Sequence, residues 1–381
     1  MIYLAFIIPV ITCLYLFVFK RKETVSWEYL AVLFPSLLAA AALQFGFIRY
    51  NTADTEYLGS YATCVRHCDA WNEWVHRTCT RTVGTGKHRH TVSYDCSYCQ
   101  EHPEEWVAYL NTNDERNISH ADYNKIVSLW GTPQVFVDMH RDYHTKDGDA
   151  QQYNWNHSWL TAYTYTDEHS YENRTQASET LYKFGEVSEE DKKFYGLYDY
   201  PNTYNTRKNG LLYMDQNPIL GGNPDDSIVQ RFAYINGFYG KSKQFRMYVC
   251  LFPNRSADAA EMQRALWKGG NKNELTLCIG TDSLYKAVNW VSSFSWCDDT
   301  SMEVALKDVI LKQDSLDLYE LGSCTIAALE TDLWKRKEFK DFKYMSVDLS
   351  VTQYIVSVVL LILVNIGLAY WVITNEYRNR K

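Results

Sequence analysis

Three long apolar runs constrain what this chain can fold into: Ile2–Phe19, Tyr29–Phe47 and Tyr354–Ile373. Each matches the ~20 residues with which a helix crosses the hydrocarbon core of a bilayer. Between the second and third runs lie roughly 300 residues of polar chain. The pattern predicts a helical hairpin in residues 1–48 (spans about 2–19 and 29–47), a large water-exposed domain, and a returning helix in residues 350–381 (span about 354–373) with a short basic tail. Pro9 and Pro35 fall inside the first two spans and predict kinks. Asn365 is the main polar side chain of the third span, and either bonds its own helix or crosses to a neighbouring one.

Positive side chains in short segments stay on the cytoplasmic side. Lys20, Arg21 and Lys22 lie between the first two runs, and Arg378, Arg380 and Lys381 end the chain. A three-span chain places both segments on one side, so the rule puts the N-terminus and the large domain outside and the tail inside. Lys335, Arg336, Lys337, Lys340 and Lys343 run against it, but they belong to a long segment mixed with Glu338 and Asp341. The first run lacks the basic start and small-residue site of a cleaved leader, and Ala39–Ala42 offers only a weak one.

The formal net charge is −8. Residues 1–48 hold three bases and two acids and residues 350–381 hold three and one, so the middle carries a net −11. That balance argues against a nucleic-acid partner, which needs a basic footprint. The middle exceeds the ~100–200 residues of one ordinary domain. The 30 Tyr and 12 Trp of the whole chain lie mostly in this segment and suit strands and rigid contact surfaces rather than disorder.

The middle changes character near residue 225. Residues 49–225 are rich in Cys, His and Tyr, with all ten histidines between His67 and His169. They predict an antiparallel β-rich subdomain. One hairpin pairs roughly Trp74–Val83 with Val92–Cys99 across Gly84-Thr85-Gly86. Another pairs roughly Val135–Thr145 with Ala150–Tyr165 across Asp147-Gly148. Residues 226–349 predict a small α/β subdomain: a strand at 244–252, a helix at 257–268 opened by Ser256 and closed by Gly269-Gly270, and a strand at 274–279 parallel to the first. Helices at 301–312 and 316–335 and a short strand at 342–347 follow. The fold class is therefore α+β, anchored by three transmembrane helices.

Two constellations could carry chemistry. The first is Cys64, Cys68, Cys79, Cys96 and Cys99, interleaved with His67, His76, His88, His90 and His102. In an oxidising compartment this is a disulfide staple for the first hairpin; in a reducing one it is a zinc site from close-spaced Cys pairs, and zinc is the one cofactor the residues suggest. With Val83 facing Val92, Cys79 faces Cys96, which makes Cys79–Cys96 the first bridge expected and Cys64 or Cys68 to Cys99 the next. Cys96 and Cys99 do not start a helix after a strand, so a thioredoxin-like redox pair is not expected. Cys250 and Cys278 read as buried small hydrophobes. The second constellation is Asp138, His140, Asp142 and His144 on one strand face. With Asp147-Gly148 as a two-residue turn, Asp138 faces His157, and Asp138, His140, His157 and His144 become candidate metal ligands for a water-activating zinc. The structural alternative is a solvated, charged strand face.

The acidic loops Asp147-Gly148-Asp149 and Gly221–Asp226 lack EF-hand spacing and read as turns. Sequons at Asn117, Asn156, Asn173 and Asn254 carry no statement about origin. There is no His-Glu-x-x-His, Gly-x-Ser-x-Gly, phosphate-binding Gly loop or Rossmann fingerprint, and no acid or base deep in the apolar runs. The sequence therefore favours a cell-envelope protein of a prokaryote or its virus. Its partners are the bilayer and an envelope protein or glycan, and it acts by binding or assembly rather than catalysis. A membrane-tethered metal-dependent hydrolase and a cytoplasmic-facing zinc module are the alternatives.

Overall fold

A computed structural model describes residues 7–20, 26–137, 149–177, 185–201, 207–208, 211–212, 217–347 and 349–374. The chain divides into two compact units. One comprises residues 1–55, 170–185 and 338–381; the other comprises 56–169 and 186–337.

The first unit holds helices α1 (Ile7–Phe19), α2 (Ser26–Thr52) and α10 (Val351–Thr374). Both α2 and α10 are long and apolar enough to cross a membrane. The described α1 has 13 residues, about 20 Å at 1.5 Å per residue against a ~30 Å core, so the structure shows two candidate spans where the sequence predicts three. Helices α2 and α10 run antiparallel. At one end Asn51 and Gln353 exchange side-chain amide hydrogen bonds of 3.0 and 2.7 Å. At the other, Trp27 meets Trp371 edge to face at 6.4 Å. Between them Asn365 Nδ2 donates both to Ser36 Oγ at 2.6 Å and to Leu361 O of its own helix at 2.8 Å, so the Asn365 amide meets both expectations at once. Glu28, Val32, Ser36 and Ala40 recur every four residues as the buried stripe of α2, while Leu30, Phe34, Leu38 and Phe45 of the same helix stay exposed. That division is what a helix packed against both α1 and α10 on one side and facing lipid on the other needs. Strand β1 follows α2 without a gap.

The second unit contains two larger sheets. The first has the strand order β7-β6-β1-β9-β8, with β10 also on β1. Its strands are β1 (Ala53–Cys68), β6 (Glu105–Leu110), β7 (Glu115–Asn117), β8 (Val135–Val137), β9 (Ala150–Asn154) and β10 (Thr164–Glu172). Helix α3 (His120–Trp130) buries Tyr123 and Ile126 in the same core as Val65, Ala108, Leu110 and Tyr153. Ser119 caps it by accepting from Asp122 N at 3.1 Å.

The second sheet orders β13 (Ile219–Leu220), β14 (Arg246–Pro253), β15 (Glu274–Thr281) and β16 (Val288–Ser295). As expected, β14 and β15 are parallel and α7 (Asp258–Leu266) connects them. Helices cover both faces. Alternate residues Met247, Val249 and Leu251 pack with α5 (Asp226–Phe238), α8 (Ser301–Leu311) and α9 (Leu318–Glu330). Tyr248, Cys250 and Phe252 pack with α7 and with Tyr195, Leu197 and Tyr198 at the end of α4 (Glu189–Tyr195). Cys250 lies directly opposite Cys278 across the parallel ladder, and both are buried. Short strands β11 (Arg207–Lys208) and β12 (Leu211–Leu212) pair with each other, and α6 (Gly240–Lys243) follows α5. Gly59 and Gly240 are required where β1 meets α6: a Cβ on Gly240 would lie 2.4 Å from Gly59 N.

The structure corrects several expectations. Strand β16, antiparallel to β15, was not legible. Helix α9 stops at Glu330 because Asp332 turns left-handed (φ 56°). Residues 339–342 form a 3-10 turn where a strand at 342–347 is expected. The ladder of β8 and β9 pairs Val137 with Ala150, which is not the register that sets Asp138 opposite His157.

Candidate functional site

The Cys- and His-rich region folds as one long antiparallel ribbon. Within the first sheet, β1 pairs β6 with Cys68 opposite Glu105. Beyond it β2 (Trp71–Val75) pairs β5 (Tyr98–His102), with Trp71 opposite His102. Further out β3 (Thr78–Val83) pairs β4 (His90–Asp95), with Val83 opposite His90. All three ladders share one register. Past Cys68 the ribbon has only two strands, and every residue from Thr80 to Asp95 is exposed. It is an arm, and Asp69–Val83 can span up to about 50 Å of extended chain.

The bridge Cys79–Cys96 is formed, with Cα atoms 5.8 Å apart. The expected register was two residues out: Cys79 faces Tyr94, and Val83 faces His90 rather than Val92. A shift of two keeps every side chain on its face, so the two cysteines still meet, diagonally. Cys99 carries a free, exposed thiol and Cys64 a half-buried one, so neither expected second bridge forms. Burial pushes the Cys64 thiol up to about 11, against the pull of Arg66, which keeps it protonated at neutral pH. The bridge also removes Cys79 and Cys96 from any thiolate ligand set.

A group of side chains that could hold a metal ion comes together at the root of the arm, from other residues. His67 Nε2 lies 2.6 Å from Glu104 Oε1 and 3.8 Å from Asp69 Oδ1, and the three ligand atoms fall within 4.8 Å of one another. The His67 ring stacks on Trp106 at 5.4 Å and 8°, and Trp106 stacks on His120 at 5.0 Å. Just outward, Trp71 stacks on His102 at 3.9 Å and 3°, and His102 Nε2 meets Glu73 at 3.2 Å. One imidazole and two carboxylates are a ligand set that suits zinc with positions left open. The same contacts also serve as a charge-assisted latch between the two strands. His67 belongs to the constellation that the sequence singles out, but Glu104 becomes its partner only through the ribbon's register.

Outward from the bridge the two faces differ. Alternation puts Thr78, Thr80 and Thr82 with Thr91, Ser93 and Asp95 on one face. The other carries Arg81, Val83, His90, Val92 and Tyr94, with the Arg81 guanidinium 5.6 Å from the Tyr94 ring centre. Arg77, Arg81, Lys87 and Arg89 lie between Trp74 and Tyr94, a stretch without a single Asp or Glu. This basic tip is legible in the sequence as a gap in the acidic background.

The second expected constellation is not assembled among the described residues. Asp138, His140, Asp142 and His144 lie outside them, as do Asp147 and Gly148. His157 occupies a left-handed position (φ 63°) after β9, with its ring 4.9 Å from Trp155. No family model, curated protein or solved structure matches this chain.

Proposed function

We propose that this is a multi-pass envelope protein that displays a non-cytoplasmic domain for binding or assembly, with the β-arm as its contact element. The segment Ile2–Phe19 serves as the third span. The observation that carries this reading is the two-stranded, disulfide-closed ribbon of residues 71–102, exposed at every residue from Thr80 to Asp95. A two-stranded ribbon buries too little to persist for its own sake, and a disulfide that closes it fits an oxidising compartment. Exposed aromatic and Arg side chains, among them Trp74, Tyr94 and Tyr98, are of the kind that dominate contact surfaces.

Thiol accessibility in intact cells tests sidedness. An impermeant maleimide should label Cys99 without lysis, and cysteines 79 and 96 only after reduction from outside. Labelling that requires lysis, with Cys79 and Cys96 already reduced, would place the domain in the cytoplasm and end the reading.

A further inference from the structure

We infer that the tip of the arm docks on the anionic phospholipid headgroups of a membrane surface. The inference rests on the arm being the contact element and names what it contacts.

Charge comes first. The tip carries Arg77, Arg81, Lys87 and Arg89 and no acid between Trp74 and Tyr94, in a chain whose formal net charge is −8. Without those four residues the chain would stand at −12, so the tip is a local inversion of sign and not a sample of the average. Acids flank it at Glu73 and Asp95, and Asp95 is already engaged by Ser97. Arginine forks and lysine ammoniums on a hydroxyl-rich ribbon are phosphate-directed donors.

The apolar component selects among phosphate-bearing surfaces. Val83 and Val92 are 38% and 37% exposed and Tyr94 is 46% exposed, and all three share a face with Arg81 and His90. Aliphatic side chains set among bases match the boundary between headgroups and acyl chains. Tyrosine belongs at the same level. A nucleic-acid backbone offers exposed valines nothing comparable. The loop from Gly84 to Arg89, with Gly84 at φ 100° and Gly86 at φ 59°, turns the tip tightly, so Lys87 and Arg89 lead the arm.

The full chain, reconstituted in nanodiscs of phosphatidylcholine alone, tests this against acceptor vesicles. Binding is expected to vesicles containing phosphatidylglycerol and not to pure phosphatidylcholine, weakening as salt rises. Replacing Arg77, Arg81, Lys87 and Arg89 together with Gln should weaken it by roughly fivefold per residue, several hundredfold in all. V83S combined with V92S should weaken it with every charge retained. An intact Cys79–Cys96 bridge and an unchanged Tm would show that both variants fold.

Absence of vesicle binding by the unmodified chain, with Cys99 still labelled by external maleimide, would overturn the lipid assignment and leave the arm as contact element. Binding that the four-Gln variant retains would remove the arm itself. Duplex DNA that displaces the vesicles at matched phosphate, together with no effect of V83S/V92S, would make the tip a general polyanion binder and overturn the membrane assignment.

Discussion

The arm and the second sheet are both built of strands of similar length, yet they are held by different physics. Every residue of β14 but Pro253, and every residue of β15, is buried, and side chains from both faces fill two separate cores. In β3 and β4 only Cys79 is less than exposed. The sheet is stable because it removes apolar area from water. The arm depends on register, cross-strand pairs and a covalent bridge. Burial fixes a structure without specifying what it touches; an exposed ribbon leaves its whole surface available. The difference is why the arm, rather than the sheet, is the surface proposed for contact.

The largest expected effect breaks the buried side of this comparison. Arg246 and Glu274 are both almost fully buried at the starts of β14 and β15, with Nε 4.0 Å from Oε1. Arg246 also bonds Tyr248 Oη at 2.8 Å, and Glu274 accepts from Tyr200 and, at 2.9 Å, from Asn271 N. Burial raises the Glu274 carboxyl and Arg246 pulls it back down. Glu274→Ala leaves an uncompensated buried guanidinium and should cost about 3–5 kcal/mol, read as a fall in Tm of ~10 °C. A change within error would mean that the Tyr248 hydroxyl suffices.

Opening the bridge should act next, and locally. Cys79→Ser removes a closure across a separation of 17 residues, about 3 kcal/mol in the chain-entropy picture. Amide exchange should rise from Thr78 to Asp95 while β14 and β15 keep their protection. Loss of protection in both regions would show that the arm supports the rest of the unit.

At the root, His67→Ala removes the hydrogen bond to Glu104 and, because both groups are partly exposed, should cost on the order of 1 kcal/mol. Calorimetric titration with zinc sharpens this. One equivalent bound by the unmodified chain and none by His67→Ala would make the root a metal centre; no heat in either leaves it a latch.

The smallest effect is one of pH. Hydrogen bonds from the Ser97 hydroxyl and then its backbone N–H hold the Asp95 carboxyl below the usual range. A carboxyl lowered in the folded state contributes stability above its unfolded value, near ~4, and loses it as pH falls through the folded value. Protection of the Cys96 amide, which donates to Arg77 O at 2.9 Å, should therefore fall relative to its intrinsic exchange rate below about pH 4, and Asp95→Asn should flatten that response.

Much of the fold was legible where local pattern and burial agree. The alternation from Phe245 to Leu251, the glycines at 269 and 270 and the run Glu274–Ile279 predict the parallel pair, because a strand, a helix long enough to cross back and a second strand are each readable from local period. Strand β16 was missed because Val288–Ser295 is a half-buried edge carrying Asn289, Ser292 and Ser293, a weak signal for any element. The site was legible in part. Cys79 and Cys96 lie on the right face in either of two registers, so a wrong register still predicts the right bridge. The same two-residue freedom cannot predict that Glu104 reaches His67.

The sequence by itself determined the apolar helices, the polarity of the long middle segment, the parallel strand pair and the bridge. Each depends on composition or on spacing along one stretch of chain, where side-chain period and hydrophobicity act directly. Tertiary structure alone decided that three separate ladders share one register, that the ribbon leaves the first sheet with two strands, and that its basic, acid-free tip stands exposed while the histidine at its root meets carboxylates. Those outcomes depend on which residues lie opposite one another across a turn, and a strand's pattern repeats every two residues without recording where its partner begins.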